Sequence, residues 1–260
     1  MPRSGASAPD AGPSWLEPDW PAPPGVRSVF TLRRGGVSVG PYASLNLAAH
    51  VEDAPLAVAE NRRRIAATFD LPAQPAWLTQ VHGNEVLRLG ALPPAGLRAD
   101  AAVAAQSGQV CAIQVADCLP VLFAARDGSV VGAAHAGWRG LAAGVIENTV
   151  AALGVPPAQL LAWIGPGIGG ANFEVGNEVR EVFLGAADAV GAAAVRAAFV
   201  ANARGRWQCE LVALARQRLA ACGLVDIHGG RWCTFGDAEN FFSYRREGRT
   251  GRMAALIWRA

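Results

Sequence analysis

The chain has 260 residues, 52% hydrophobic and 17% charged, with a net charge of +2 that argues against a polyanionic partner such as nucleic acid. All 23 of its basic residues are arginine. The missing lysine excludes Schiff-base and covalent pyridoxal phosphate chemistry, the P-loop lysine and the kinase strand lysine, so any bound anion must rest on arginine forks, backbone N–H groups, histidine or a metal. In chain order, residues 1–19 are rich in proline, serine and glycine and read as a disordered or surface-lying extension, with Trp15 and then Trp20 as apolar anchors. Residues 20–260 read as one domain, because no linker, repeat or low-complexity block interrupts them. A strand over 26–33 leads into turns at Gly35-Gly36 and Gly40-Pro41. Pro55, following Asp53, predicts a helix over 55–69. Short apolar runs at 76–78, 85–89, 110–115, 120–125 and 129–134 predict strands separated by turn residues such as Asp127-Gly128. Leu141, Val145 and Leu153 recur at helical spacing before Gly154, which predicts one helix over 138–153. A strand at 160–164, helices over 177–199 and 210–222, and strands at 225–228 and 253–258 complete the chain. Helices both interspersed among strands and grouped after them predict an α+β fold with mixed sheets.

Five cysteines, odd in number and without framework spacing, read as reduced thiols of a cytoplasmic protein. No uncharged stretch is free of proline for long enough to span a membrane, so no membrane partner is expected.

The chemistry is expected from a few residues. Histidine occurs at four positions, His50, His82, His135 and His228. His82 lies in Thr79-Gln80-Val81-His82-Gly83 and His135 in Ala133-Ala134-His135-Ala136-Gly137-Trp138-Arg139-Gly140, both where a predicted strand gives way to glycine. Between them stands Ala116-Asp117-Cys118-Leu119-Pro120. A His, a Cys and a His at the ends of separate strands suit Zn²⁺, and three protein ligands leave a fourth position open; copper is the alternative metal. Each residue taken singly reads as an ordinary core residue. The same residues also admit a cysteine hydrolase, with Cys118 as nucleophile, His135 or His82 as base and Asp117 as orienter. A third alternative is a non-catalytic site closed by Cys111, Cys233 or His228.

Further motifs extend the pattern: Val37-Ser38-Val39-Gly40-Pro41-Tyr42-Ala43-Ser44-Leu45-Asn46-Leu47, residues 116–123, residues 164–169, and Phe242-Ser243-Tyr244-Arg245-Arg246. Together with the two histidine motifs they resemble, in order, the YfiH-type family, labelled laccase-domain or polyphenol oxidase proteins and also described as purine nucleoside phosphorylases. The resemblance runs from about Trp20 to Trp258. It implies a single domain of four layers, α/β/β/α, and a zinc site whose ligands and catalytic residues are His82, Cys118 and His135. It implies phosphorolysis of adenosine, inosine and S-methyl-5′-thioadenosine, with adenosine deamination alongside, so purine nucleoside and phosphate are the expected partners and no protein partner is read. The alternative it implies is a cytoplasmic hydrolase that edits peptidoglycan precursors, cleaving an amide with zinc-activated water or Cys118. Copper polyphenol oxidation ranks below both, because four histidines cannot ligate a blue-copper site and a three-copper cluster.

Substrate contacts are expected from Asn46 and Arg62. Tyr42 and Asn46 follow a Gly-Pro turn and read either as ribose contacts or as loop braces. Arg34, Arg62, Arg139, Arg245 and Arg246 are the arginines near the motifs, each able to hold phosphate or to pack. The glycine-rich segment 164–170 offers backbone N–H groups, with a tight turn as its default reading. Asp117 and Glu174 are the candidate proton shuttles.

Overall fold

The computed structural model describes residues 13–90, 98–186 and 189–260. Two sheets packed back to back form its centre. The first runs in the order Trp15–Leu16, Val26–Thr31, Met253–Arg259, Val110–Val115, Ala76–Trp77. The second runs Asp226–Gly229, Leu160–Ile164, Leu119–Ala125, Val131–Ala136, Ala101–Ala104, Val86–Arg88. Both are mixed, with parallel pairs at sheet edges and antiparallel pairs between. A small antiparallel sheet of Glu174–Val175, Trp207–Cys209 and Phe199–Ala201 stands apart.

Side-chain alternation along the central strands produces the layers. On Met253–Arg259, residues Met253, Ala255 and Ile257 face the second sheet, while Ala254, Leu256 and Trp258 pack with Ile65 of the helix Pro55–Thr68. On Leu119–Ala125, Leu122 and Ala124 face the first sheet, while Leu119, Val121 and Phe123 meet the helices Val145–Leu153, Asn177–Gly185 and Leu211–Ala221. Strands buried on both faces read as unbroken apolar runs, which is why these were visible in the sequence. The outcome is an α+β fold whose layers follow the α/β/β/α order.

The expectation for residues 1–12 lies outside the described residues. From residue 15 onward the chain lies along the domain: Trp15–Leu16 pairs with Val26–Thr31, Trp15 meets Phe69 edge-on at 5.4 Å, and Asp19 accepts the Trp163 indole N–H at 2.9 Å.

Several elements differ from expectation for physical reasons. The helix expected over 138–153 is two, Trp138–Ala142 and Val145–Leu153, because Gly144 takes the left-handed conformation at φ +91° between them. The helix expected over 177–199 is Asn177–Gly185 and Ala189–Ala197, and Phe199 opens a strand instead. There the Phe199 ring is buried 6.3 Å from Phe183, so packing overrides local helix preference. The strand expected at 129–134 is Val131–Ala136, which carries His135 within the strand. Ala101–Ala104 was not legible at all, since alanine is a poor strand former. Its small side chains suit a position between close neighbours: a Cβ on Gly132 opposite would meet Val103 at 3.1 Å.

Candidate active site

Strand register brings the three expected ligands together. Leu119 pairs with Ala136 and Pro120 with His135, so Cys118 falls opposite Gly137 at the end of the antiparallel ladder. On the other flank of Val131–Ala136, Ala134 pairs with Ala101, which sets Asp100 beside His135. His82 arrives from the loop after Ala76–Trp77 with φ +59°, a left-handed conformation. Two anchors hold that loop. The Gln80 amide exchanges two hydrogen bonds with the Gln114 backbone, at 2.9 and 2.8 Å. Asp100, fully buried, accepts the backbone N–H groups of Val81, His82 and Gly83 at 3.1, 2.9 and 2.7 Å.

Asp100 also meets His135 Nδ1 at 2.8 Å and its carbonyl accepts the His135 backbone N–H at 2.7 Å. Sequence reasoning missed this residue, yet it orients two of the three ligands. Its carboxylate fixes the His135 tautomer with Nε2 free to face Cys118, the usual second partner of a ligating imidazole. Burial works against charge on Asp100, but His135 and the Gly83 and Val81 N–H groups hold its pKa below the ordinary value.

The ligand atoms of His82, Cys118 and His135 all lie within 4.8 Å of one another, with Cys118 Sγ 3.9 Å from His82 Nε2. Metal bonds of about 2.0–2.3 Å put tetrahedral ligands about 3.3–3.8 Å apart, so a slight contraction completes the geometry. Burial alone would push the Cys118 thiol up; the adjacent His135 and His82 imidazoles instead bring it down to about 6. Burial disfavours charge on His135, and Cys118 and Asp100 overcome it, raising that imidazole. A thiol made acidic beside two imidazoles fits a borderline or soft metal ion. Cys111, Cys233 and His228 stay outside the group among the described residues: Cys111 is core, and Cys233 Sγ accepts the Gly169 N–H at 3.2 Å. Among the described residues His82, Cys118 and His135 are the His, Cys, Asp and Glu groups that come together as candidate ligands.

Gly137 is the residue that lets the ligands approach. A Cβ there would lie 2.7 Å from Cys118 Sγ and 3.2 Å from His82 Cδ2. Gly137→Ala is expected to lower the affinity of the cluster for added divalent metal, Zn²⁺ as the probe, by about 10–100-fold, the range seen when ligand orientation is disturbed, while the protein stays folded. Competition with a chromogenic chelator measures it; unchanged affinity would refute the close-approach argument.

The cluster opens into a cleft of about 510 Å³, also lined by His50, Gln80, Gln114, Asp117, Trp138, Arg139, Phe173, Tyr244, Arg245 and Arg252. Of the expected phosphate arginines, Arg139 and Arg245 line it and Arg34, Arg62 and Arg246 do not. Arg34 pairs with Glu239, and Arg246 donates to the carbonyls of Thr234, Phe235 and Phe241. Arg62 donates to the Leu47 carbonyl and stacks on Trp77, its pKa brought down by burial to about 10. Asn46 is fully buried: it donates to the Ala48 carbonyl and Asp53, and accepts from the Ala48 and Arg252 N–H groups. Those bonds brace the loop, the second of its two sequence readings. Tyr42 donates to the Val51 carbonyl in the same loop. Glu174 stays off the cleft wall, bound by Asn202 and Arg204. The N–H groups of segment 164–170 are turned inward: Gly165, Ile168 and Gly169 donate to Pro120, Asp117 and Cys233. Arg252 and His50 are cleft residues that sequence reasoning did not single out for this role; an isolated Arg and an isolated His among small residues carry no local signal.

Comparison with known proteins agrees with this geometry. Residues 27–260 match the family described as multi-copper polyphenol oxidoreductase laccase. The chain is 54% identical over 246 residues to purine nucleoside phosphorylase PA4543 of Pseudomonas aeruginosa, covering 94% of this chain and 98% of that protein. It is 52% identical over 243 residues to purine nucleoside phosphorylase YfiH of Escherichia coli, covering 94% and 98%. Among solved structures, Neisseria meningitidis protein NMB0706 superposes with a TM-score of 0.89 at 45% identity, covering 94% of this chain and 98% of that one. YlmD of Geobacillus stearothermophilus does so with 0.87 at 30% identity, covering 94% and 96%. With its His–Cys–His cluster, its two back-to-back sheets and these relatives, the chain belongs to the laccase-type family of multi-copper polyphenol oxidoreductase proteins.

Proposed function

We propose that this chain is a zinc-dependent purine nucleoside phosphorylase acting on adenosine, inosine and S-methyl-5′-thioadenosine, with an accompanying adenosine deaminase activity. The observation that carries the reading is the meeting, in one cleft, of the His82–Cys118–His135 cluster with Arg139, Arg245 and Arg252 and the aromatic side chains of Trp138, Phe173 and Tyr244. Its volume falls within the roughly 300–1,000 Å³ of small-molecule sites. Names carried by relatives 50–54% identical to the chain support the phosphorylase half of the reading.

Phosphorolysis needs a phosphate oxygen held against C1′ of a ribose as the bond to the purine breaks. In a lysine-free chain that task falls to arginine forks. The Arg139 guanidinium lies 4.5 Å from the Trp138 ring centre, and Arg252 donates Nη1 to the carbonyls of Thr250 and Gly251, which fixes its fork. The apolar walls at Phe173 and Tyr244 receive the purine face, and Arg245, 5.2 Å over Phe173, closes one side. Zinc held by His82, Cys118 and His135 would supply Lewis-acid polarisation beside the reacting groups. The oxidase label of the family finds little support in the ligand count: His82 and His135 are in the cluster, His50 is in the cleft, and His228 is on an edge strand, too few for several coppers.

No helix among the described residues is long and apolar enough to cross a membrane. The test is product identification with zinc-loaded protein, adenosine and inorganic phosphate. Ribose 1-phosphate with adenine is the expected result, and inosine reports the deaminase activity. Formation of neither would overturn the reading and turn the search to amide cleavage in peptidoglycan precursors.

A further inference from the structure

Cleavage of the C1′–N9 bond leaves an electron pair on the purine, and a proton delivered to N7 stabilises it as it departs. This inference rests on the phosphorylase reading and asks which side chain delivers that proton. Outside the three clustered ligands and the arginines, the titratable side chains lining the cleft are His50, Asp117 and Tyr244. Asp117 is committed as an acceptor on both oxygens: Thr234 Oγ1 donates to Oδ1 and the Arg245 N–H to Oδ2, each at 2.6 Å. The Tyr244 ring packs under the Arg252 guanidinium at 5.7 Å. Imidazole is the side chain that exchanges protons near neutrality. We propose that His50 is the general acid of this cleft, the residue that protonates the departing purine.

The chain around His50 is built to present it. Asn46 Nδ2 donates to the Ala48 carbonyl at 3.1 Å and its Oδ1 accepts the Ala48 N–H at 3.0 Å, on one side of His50. On the other side, Tyr42 donates to the Val51 carbonyl and is itself held by Arg249 Nε at 2.6 Å. Between these clamps His50 lines the cleft wall, partly enclosed by it. The same Asn46 Oδ1 accepts the Arg252 backbone N–H at 2.9 Å, so one buried amide braces both the segment that carries the acid and a cleft arginine.

The charges facing His50 explain how its proton is timed. Burial, then Arg252, Arg62, His135 and His82, hold its pKa below the ordinary value while the cleft contains no anion. A phosphate dianion bound among the arginines opposes that field and favours the imidazolium. His50 therefore takes up a proton as phosphate binds and gives it to N7 as the C1′–N9 bond breaks and the C1′–O bond forms. The proton on hydrogen phosphate, released when the ester forms, goes to solvent and replaces the one taken up, so the overall reaction consumes none.

Zinc-loaded wild-type and His50→Gln proteins test this on two readouts. Calorimetry of inorganic phosphate binding, near pH 7 in buffers of different ionisation enthalpy, is expected to show greater net proton uptake in the wild type than in the variant, the difference cancelling the ionisation of phosphate itself. Inosine phosphorolysis is expected to fall in kcat by about 10²–10⁴-fold in the variant, the usual contribution of a general acid. On 7-methylinosine, whose N7 is already alkylated and cationic, that loss is expected to shrink to within about tenfold, because no proton is required. Identical proton exchange in wild type and variant, unimpaired inosine cleavage by the variant, or equal losses on both nucleosides would overturn the assignment. A wild-type enzyme that cleaves neither nucleoside overturns the phosphorylase reading itself, and the role of His50 with it.

Discussion

On the proposed zinc-dependent phosphorylase reading, Cys118→Ala is expected to leave the protein folded, without bound zinc, and with phosphorolysis reduced about 1,000-fold, the equivalent of the several kcal/mol of charge stabilisation that a Lewis acid supplies. The thiol is the ligand atom common to both contacts of the cluster. It lies 3.9 Å from His82 Nε2, and its charge is bound up with that of His135. Removing it leaves two imidazoles, and two ligands do not hold zinc against solution competitors. The fold tolerates the change because Cys118 is only half-buried and sits beyond the last paired residue of its strand. Metal analysis and ribose 1-phosphate release measure the two effects together. Full activity in metal-stripped Cys118→Ala protein would remove both the metal and the thiol from the mechanism.

Asp100→Asn should cost about 3 kcal/mol of stability and lower zinc affinity by about 10–100-fold, although Asp100 is not one of the three ligands. Its Oδ1 receives the His82 N–H and meets His135 Nδ1, while Oδ2 receives the Val81 and Gly83 N–H groups. Asparagine must present its NH₂ group to one of these pairs, so two donors face a donor in a fully buried place whichever way the amide turns. Each buried donor left without a partner costs about 1–3 kcal/mol. The freed loop then lets His82 drift, and His135 loses the contact that fixes its tautomer. Denaturant unfolding and chelator competition report the two losses separately. A variant with wild-type stability and zinc affinity would show that the carboxylate does not organise the site.

The parts of the molecule legible in the sequence share a physical cause. Strands buried on both faces, such as Leu119–Ala125, announce themselves as apolar runs; His82 and His135 stand out where such runs give way to glycine, and Cys118 where a polar Asp-Cys pair separates two of them. What escaped was set by contacts distant in the chain. Asp100 precedes an alanine-rich strand with no pattern of its own, and its role exists only because Ala101 pairs with Ala134. His50 and Arg252 are 202 positions apart and line the same cleft, with the Asn46 amide bound to the Arg252 backbone and to Ala48, two residues before His50. Asn46 itself sits in a conspicuous motif for a bracing reason, with every polar atom of its side chain turned to the backbone or to Asp53.

Val110–Val115 belongs to the first sheet and Leu119–Ala125 to the second, so Ala116, Asp117 and Cys118 carry the chain across the seam between them. Asp117 makes the crossing in a left-handed conformation, φ +94°, held by Thr234 and Arg245. His82 hangs from the first sheet and His135 from the second. The cluster is thus a gauge of sheet-to-sheet registry: a separation of about an ångström, too small to melt any strand, is enough to spoil geometry of this kind. Gentle denaturation should therefore silence the enzyme while its backbone spectrum is still native.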